Sequence, residues 1–336
     1  MYALHALPGG VCALAGDAVK KEKGGFKMAQ RVLVGSTGFV GGNLLAAGGF
    51  DAAYHSSDIQ TGFDQPNGLV VYAGVPAAMF LANADPEADL ALMRTARENL
   101  RRLRPRQVVL VSTIAVYADS RQKDESAPMQ PQGLPAYGAN RLQLEQWVRQ
   151  DWPDALILRL PALYGRGLKK NFLYDLHTIT PVLLRPDKYA QLSRQSPLVQ
   201  NGYSDAGNGF YKLNGRADAA ALRRFFAAND FNALSFTDSR SRYQFYPLAR
   251  LWGDIQTALS AGVRVLNLAT PPVSAAEVYR AFTGRAFENR LDAPPYDYDM
   301  RTAHAGLLGG QGGYLCTREE ELADVCAFLQ GWADAG

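Results

Sequence analysis

One segment near the start of the chain, RVLVGSTGFVGGNLL at 31–45, constrains the fold more than any other. A short β-branched run ends at Gly35, and Gly38 and Gly41 follow at the spacing G-x-x-G-x-x-G. The first glycine permits a tight turn, the second lets a pyrophosphate approach the backbone, and the third lets a helix pack closely on the strand. Because a helix N-terminus also offers free amides and a favourable dipole, the segment predicts a dinucleotide-binding turn. The expected cofactor contacts are Gly35, Thr37, Gly38, Phe39, Val40 and Gly41.

Apolar strands alternate with helical patterns through the first half of the chain. The strands are LVVYA at 69–73, QVVLV at 107–111 and ALILRL at 155–160, and the helical patterns cover 86–103 and 135–150. This alternation predicts an α/β fold with a Rossmann-type doubly wound parallel sheet. We predict a dinucleotide-binding domain over 29–165 and a smaller mixed α/β substrate-binding lobe over 166–336, which could return strands to the main sheet. In the lobe we expect strands at 233–236 and 264–268 between helices at 218–228, 248–259 and 274–282.

Composition excludes several classes of protein. A chain of 336 residues that is 47% apolar can bury a large core. Its net charge of +3 argues against a dedicated nucleic-acid surface, and no apolar run approaches the roughly 20 residues that span a bilayer. The three cysteines and four histidines lack metal-ligand spacing, so we expect no metal and a reducing, cytoplasmic setting.

The first 28 residues differ from the rest of the chain. A polar stretch, KKEKGGFK, precedes Met28, and the first predicted strand starts three residues later. The apolar part before it has no basic n-region and is interrupted by Pro8, so a secretory signal is not indicated. We expect translation to begin naturally at Met28 and residues 1–28 to form a non-native or mobile extension.

Three further segments carry groups suited to chemistry: VSTIAVY at 111–117, YGANR at 137–141 and RLPALYG at 159–165. Thr113 follows a buried strand, and a hydroxyl at the carboxyl end of such a strand faces the ligand crevice. Tyr137 and Arg141 are four residues apart on a predicted helix, so they share a face. Because a nearby cation favours the phenolate, Tyr137 can exchange a proton with an alcohol while a nicotinamide exchanges the hydride.

With these motifs the chain resembles the extended short-chain dehydrogenases/reductases, specifically the NAD-dependent epimerase/dehydratase family that acts on nucleotide sugars. The resemblance is strong over the first 165 residues and looser after them. It implies catalytic roles for Thr113, Tyr137 and Arg141, with Tyr117 as the tyrosine that follows Thr113. It also implies substrate contacts and further cofactor contacts. The implied substrate contacts are Thr113, Ile114, Ala115, Asn171 and Arg242 (the last in an R-x-x-x-Y motif with Tyr246), and the further cofactor contacts are Ala73, Gly74, Val75, Val111, Tyr137, Arg141 and Leu160.

Two departures from the family pattern affect the expected reaction. The family's Y-x-x-x-K is Y-x-x-x-R here, and arginine is not interchangeable with lysine at a tight site. Arg141 could still bind ribose hydroxyls, or it could mark altered chemistry, and Glu145 could instead take it into an ordinary helix ion pair. The 4,6-dehydratases place Asp-Glu after the catalytic threonine, whereas this chain has Ile114 and Ala115, which argues against elimination of water.

The cofactor form stays open between NAD and NADP. An acidic residue after the second strand would bind the ribose 2′-hydroxyl, and Asp58 is the candidate, although it lies far along the segment. Ser56 and its neighbour could instead receive a 2′-phosphate.

The sequence therefore predicts an NAD(P)-dependent oxidoreductase, foremost an epimerase, acting on a nucleotide-linked sugar. One alternative is an NADPH-dependent carbonyl reductase of the same fold, and another is a catalytically impaired cofactor-binding regulatory protein. Asn171 could be a helix cap rather than a ligand, and Arg242 an ordinary surface arginine. Because the family often dimerises through a helix bundle, a homodimer is a further option.

Overall fold

Thirteen strands and eleven α-helices make up the part of the chain that the structure, a computed structural model, describes: residues 30–334. The strands are β1 (Arg31–Val34), β2 (Ala52–Tyr54), β3 (Asn67–Tyr72), β4 (Pro105–Thr113), β5 (Leu156–Leu160), β6 (Ala162–Tyr164), β7 (Leu183–Leu184), β8 (Tyr203–Asp205), β9 (Tyr211–Leu213), β10 (Arg242–Tyr243), β11 (Phe245–Pro247), β12 (Val265–Asn267) and β13 (Val273–Ser274). The helices are α1 (Phe39–Ala47), α2 (Met79–Ala84), α3 (Pro86–Leu103), α4 (Ala136–Asp151), α5 (Phe172–Thr178), α6 (Pro186–Ser193), α7 (Pro197–Gly202), α8 (Ala219–Ala227), α9 (Leu251–Ser260), α10 (Ala275–Thr283) and α11 (Arg318–Asp334).

Six parallel strands form the main sheet, in the order β12-β5-β4-β3-β1-β2. Because each strand in the centre of the sheet is covered on both faces, its residues are apolar in succession. The predicted α/β fold with a doubly wound parallel sheet is confirmed. The sixth strand, β12, comes from the second half of the chain. The main sheet therefore contains residues from both sides of the domain boundary that we predict at residue 165.

Alternate residues of the strands enter two separate cores. On one face, Val70 and Val108 pack with Met93 of α3 and Val148 of α4. On the other face, Leu33, Val71 and Val109 pack with helices α1 and α9. Helix α3 begins where Asp85 accepts a hydrogen bond from the Ala88 amide, with Pro86 in its first turn. This layering brings the carboxyl ends of β1, β3 and β4 to one edge, with α1 and α4 starting beside them.

The second half adds three small sheets, which pair β7-β9-β8, β10-β13 and β11-β6. The strand expected at 233–236 is wrong: Ala233–Phe236 is a 3-10 helix. Its start is capped by Asn232, whose side chain accepts from the Leu234 amide, while Ser235 Oγ accepts from the Asn232 amide. This reciprocal cap satisfies backbone donors locally, so the segment needs no strand partner.

No helix between residues 30 and 334 is both long and apolar enough to cross a membrane. Over the same range, no three His, Cys, Asp or Glu residues are grouped so as to hold a metal ion. The extension expected at 1–28 lies outside the described residues.

Candidate functional site

The glycine turn after β1 depends on having no side chain at two positions. Gly35 has φ +91°, and a Cβ there would lie 2.5 Å from the carbonyl oxygen of Ala73. A Cβ on Gly41 would lie 2.0 Å from the carbonyl oxygen of Gly35. The Tyr54 carbonyl holds the turn by accepting from the Gly35 amide at 2.7 Å. The turn is therefore clamped between the ends of β2 and β3.

Free backbone donors face out of this turn at the start of α1. Gly38 is the N-cap and has no side-chain cap, and its own amide donates to the Gly35 carbonyl at 2.9 Å. The amides of Thr37, Phe39 and Val40 donate to no acceptor within residues 30–334. Because these donors converge at a helix N-terminus that no side chain fills, the turn fits the pyrophosphate of a dinucleotide.

The segment after β3 lies directly against the glycine turn. The Ala73 amide donates to the Val34 carbonyl at 2.9 Å, and a Cβ on Gly74 would lie 3.1 Å from a Val34 methyl. Val75 packs against the core on the α3 side. The structure thus brings Ala73, Gly74 and Val75 to the glycine turn.

Two other expected cofactor contacts lie within the sheet core. Val111 of β4 and Leu160 of β5 both pack into the core on the α1 side, and Leu160 is 4% exposed. Both side chains contact other core side chains, so their observed role is to pack the sheet from which the candidate site is built.

Asp58 is held by its own loop. One carboxylate oxygen accepts from the His55 amide at 2.7 Å, and the other lies 3.0 Å from His55 Nε2. The carboxylate remains 40% exposed, and Ser56 beside it is exposed. Since Asp58 is partly occupied and Ser56 is free, the geometry leaves both as ribose-side candidates.

The segments that carry the catalytic candidates Thr113 and Tyr137 touch through a close contact between the start of α4 and the residues after β4. A Cβ on Gly138 would lie 2.1 Å from the carbonyl oxygen of Ala115. Only glycine at this position therefore lets the start of α4 rest on the segment that follows β4. Thr113 Oγ1 accepts from the Ala115 amide at 3.2 Å, and its hydroxyl hydrogen meets no acceptor in the described chain.

Tyr137 lies in the first turn of α4, and its side chain is buried. Its amide donates to Asn83 Oδ1 at 2.9 Å, which ties the helix start to α2. The phenol oxygen makes no hydrogen bond with any residue from 30 to 334. A phenol without a protein partner is free to exchange a proton with a bound ligand.

Arg141 lies against the Tyr137 ring, as the spacing of the two residues predicted, and three groups in the protein hold its guanidinium. Its guanidinium forms an ion pair with Asp89 of α3, and Nη2 donates to the Pro76 carbonyl at 2.7 Å. These acceptors hold the guanidinium against α3 and the segment after β3, and the contact with the cofactor stays a prediction. The expected alternative of a helix pair with Glu145 is wrong, because Glu145 is bound elsewhere.

A buried polar network that sequence reasoning missed lies beneath the site. Glu145 accepts from Arg159 Nη2 at 2.7 Å and from Ser112 Oγ at 2.5 Å, and neither charged side chain is more than 1% exposed. Arg159 Nη1 also donates to Tyr117 Oη at 2.8 Å, and Asn267 donates to the same oxygen. Tyr117 is thus a buried support. The sequence feature that could have indicated this network is the presence of the charged residues Glu145 and Arg159 among apolar neighbours.

Asn171 forms a helix cap. Its Oδ1 accepts from the Leu173 amide at 3.0 Å, its Nδ2 donates to the Leu163 carbonyl at 2.8 Å, and its φ is +101°. These bonds occupy the side chain, so the expected substrate contact gives way to the capping alternative. The neighbouring Lys170 Nζ donates to the Ala77 carbonyl at 2.7 Å and so connects the lobe to the segment after β3.

Arg242 lines a cavity of about 480 Å³ together with two other arginines, Arg301 and Arg318. Its Nε donates to Asp297 at 2.5 Å, and its side chain is 42% exposed. Arg301 Nε is buried with no hydrogen-bond partner in the described chain. Tyr246, the second member of the R-x-x-x-Y motif, is fully buried and donates to Asp254, so it is structural.

The cavity lies beside the segment that follows Thr113. Tyr314 lines the cavity and also packs into a cluster with Ile114, Val116 and Met300. Ile114 therefore contacts this cluster, whereas Ala115 contacts the start of α4.

Comparisons with known proteins agree with this architecture. Residues 51–180 match the family described as RmlD substrate binding domain. No curated protein matches the chain at the sequence level.

Three solved structures illustrate the likeness. An NAD-dependent NDP-hexosamine 5,6-dehydratase, TunA, involved in tunicamycin biosynthesis, is 16% identical with a TM-score of 0.57, covering 90% of this chain and 98% of its own.

The other two come from an archaeon and a bacterium. A UDP-N-acetylglucosamine 4-epimerase from Methanobrevibacter ruminantium is 10% identical with a TM-score of 0.58, covering 92% of this chain and 99% of its own. A dTDP-4-dehydrorhamnose reductase from Bacillus anthracis, in complex with NADP, is 14% identical with a TM-score of 0.57, covering 91% and 99%. These structures share the α/β fold of this chain, with its parallel sheet covered by helices.

Proposed function

We propose that this protein is an NAD(P)-dependent oxidoreductase that acts on a nucleotide-linked sugar, with Tyr137 as the acid/base. Epimerisation is the first candidate reaction. The similar structures include an epimerase, a dehydratase and a reductase, all named for nucleotide-linked substrates, which supports this class of substrate.

The observation that carries the proposal is the convergence of three features at one sheet edge. The glycine turn offers free amides, the Ala73–Val75 segment packs on that turn, and the contact between Gly138 and Ala115 places Tyr137 beside the Thr113 segment. A phosphate cradle after β1 and a phenol without a hydrogen-bond partner at the start of α4, at the same edge of the sheet, suit hydride chemistry better than simple ligand storage.

A bound nicotinamide dinucleotide would supply the hydride acceptor and donor. The amides of Thr37, Phe39 and Val40 would hold its pyrophosphate. Tyr137 would take the proton of a sugar hydroxyl as that carbon loses its hydride, and would return the proton afterwards. The Thr113 hydroxyl, whose hydrogen is free, would donate to the reacting oxygen and hold it in line.

The arginine-lined cavity supports a diphosphate-bearing substrate. Guanidinium groups bind phosphate through paired hydrogen bonds, and Arg242, Arg301 and Arg318 all border the cavity. Arg301 Nε makes no hydrogen bond in the described chain and lies 3.8 Å from Asp299 Oδ1, so a phosphate oxygen would give this buried donor a hydrogen-bond acceptor.

Identification of the nucleotide that copurifies with the protein tests the proposal. The protein would be purified without added nucleotide and denatured, and the released compound identified by mass spectrometry. An epimerase recycles its cofactor, so we expect bound NAD. Bound NADP, or an empty site that binds NADPH on addition, would favour the alternative carbonyl reductase, in which reduced cofactor is consumed stoichiometrically. Tight cofactor binding without turnover of any nucleotide sugar would favour the regulatory alternative.

A further inference from the structure

Asp89 of α3 is the anionic partner of Arg141. The two side chains form an ion pair in which the exposed fractions are 5% for Arg141 and 7% for Asp89. The same carboxylate oxygen accepts from Asn140 Nδ2 at 2.9 Å. Removing Arg141 from this pair would leave a buried carboxylate without its cation, which is strongly unfavourable. Arg141 is therefore fixed in place by α3.

The guanidinium of Arg141 also lies against the ring of Tyr137. Its central carbon is 3.9 Å from the ring centroid. A planar guanidinium can stack on an aromatic face while the N–H groups at its edges donate to other acceptors. Here the edges donate to Asp89 and to the Pro76 carbonyl. The orientation of the Tyr137 ring thus depends on where Asp89 holds Arg141.

We propose that Asp89 is a positioning residue for Tyr137, acting through Arg141. Asp89 holds the guanidinium as a flat support beneath the phenol ring, and Arg141 makes no hydrogen bond to the dinucleotide. This inference rests on the proposed function and gives this chain's Y-x-x-x-R motif a role of its own. It differs from the cofactor contact that the resemblance implied for Arg141.

Dinucleotide affinity tests the claim about Arg141 without any substrate. NADH and NADPH would be titrated into the wild type, Arg141→Gln and the double variant Asp89→Asn/Arg141→Gln, with energy transfer from tryptophan to the nicotinamide as the signal. The double variant removes both charges, so no buried charge is left unpaired. We expect affinities within about threefold of the wild type, whereas loss of a charge-assisted hydrogen bond to the ligand would weaken binding about tenfold or more.

The positioning role of Asp89 is tested by a cycle with Tyr137. Asp89→Asn should lower kcat about tenfold or more for a nucleotide sugar that the wild type converts, with KM little changed, because a misaligned acid/base affects the reaction step. In the Tyr137→Phe background the same change should have no further effect. Glu98→Gln is the matched control, since Glu98 is exposed on α3 and forms no ion pair within residues 30–334.

The outcomes separate this inference from the proposed function. A tenfold loss of dinucleotide affinity in Arg141→Gln, or a further loss of rate on adding Asp89→Asn to Tyr137→Phe, overturns the inference alone. A wild type that binds neither dinucleotide overturns the proposed function and the inference with it. Thermal unfolding of each variant would show that every comparison is made on folded protein.

Discussion

At the scale of single residues, the Glu145–Arg159 ion pair is almost completely buried, so losing one partner should reduce stability. Glu145 is on the same helix as Tyr137, and Arg159 is on β5, next to the strand that carries Thr113. Ser112, which precedes Thr113, also donates to Glu145. The pair therefore fixes the helix of one catalytic candidate to the strand of the other.

Glu145→Gln should destabilise the protein by about 3–5 kcal/mol, because it leaves the Arg159 charge buried without its partner. The free energy of unfolding would be measured by urea denaturation. Glu98→Gln serves again as the control and should change stability by less than about 0.5 kcal/mol. A loss below about 1 kcal/mol for Glu145→Gln would show that water or another group compensates Arg159.

The spacing of residues in the sequence predicted which side chains share a helix face. It did not predict hydrogen-bond partners that are distant along the chain. The spacing of Tyr137 and Arg141 placed both on one helix face, as observed. The partner of Arg141 is 52 residues away on α3, and nothing local marks Asp89 as that partner. Asn171 is a similar case, because a capping asparagine and a ligand asparagine have the same local sequence and only the hydrogen bonds distinguish them.

At the scale of elements, the proposed phosphate site depends on the contact between α1 and the glycine turn. Gly41 has no space for a Cβ, since the obstacle 2.0 Å away is the backbone oxygen of Gly35. Gly42, the next residue, would place its Cβ 3.6 Å from the Ser36 carbonyl oxygen, which is an ordinary contact. The two neighbouring glycines therefore form a matched pair for experiment.

Gly41→Ala should shift α1 away from the turn, cost about 1–3 kcal/mol of stability and weaken NADH binding at least about tenfold. Gly42→Ala should keep NADH affinity and gain up to about 1 kcal/mol from the better helix propensity of alanine. Thermal unfolding and NADH fluorescence titration of both variants would measure these effects. Equal affinities in the two variants would refute the role assigned to the glycine turn.

Elements were predictable where a continuous pattern determines them. The helix at 39–47 and the buried strands of the main sheet follow from apolar runs and glycine punctuation. The 3-10 helix at 233–236 was not predicted, because ALSF is as apolar as a short strand and its conformation is decided by the Asn232 cap.

At the scale of the whole molecule, a buried carboxylate joins the C-terminal helix to the rest of the fold. Glu321 of α11 accepts from the Phe245 amide at 2.7 Å and from Thr270 Oγ1 at 3.1 Å. Burial raises its pKa from 4.5 to about 8. Because the folded state binds this proton more tightly than the unfolded state, the contribution of Glu321 to stability is complete below about pH 4.5 and is lost as the pH rises toward about 8.

Glu321→Gln should remove that part of the pH dependence, which is at most about 1.4 kcal/mol for each pH unit. The free energy of unfolding would be measured between pH 5 and pH 8, a window within the limits set by the two pKa values. Glu319→Gln, an exposed change in the same helix, should leave the slope as it is in the wild type. Parallel slopes for the wild type and Glu321→Gln would contradict the prediction.

The whole-molecule arrangement was the part least accessible to sequence. The parallel sheet followed from alternating strands and helices, but the return of β12 to that sheet depends on packing between residues more than 100 positions apart. The arginine-lined cavity likewise assembles from β10, the segment between α10 and α11, and the start of α11. Only the fold brings these arginines together.

The central claim is that Tyr137 exchanges the proton while a nicotinamide dinucleotide exchanges the hydride. Its most direct test is single-turnover absorbance at 340 nm with NAD-loaded protein and a panel of UDP- and dTDP-hexoses, comparing the wild type with Tyr137→Phe. We predict reduction of the dinucleotide by at least one sugar, about 10²–10⁴-fold slower in Tyr137→Phe, with NAD affinity retained. Equal rates in the two proteins, or no reduction with any sugar, would contradict the account.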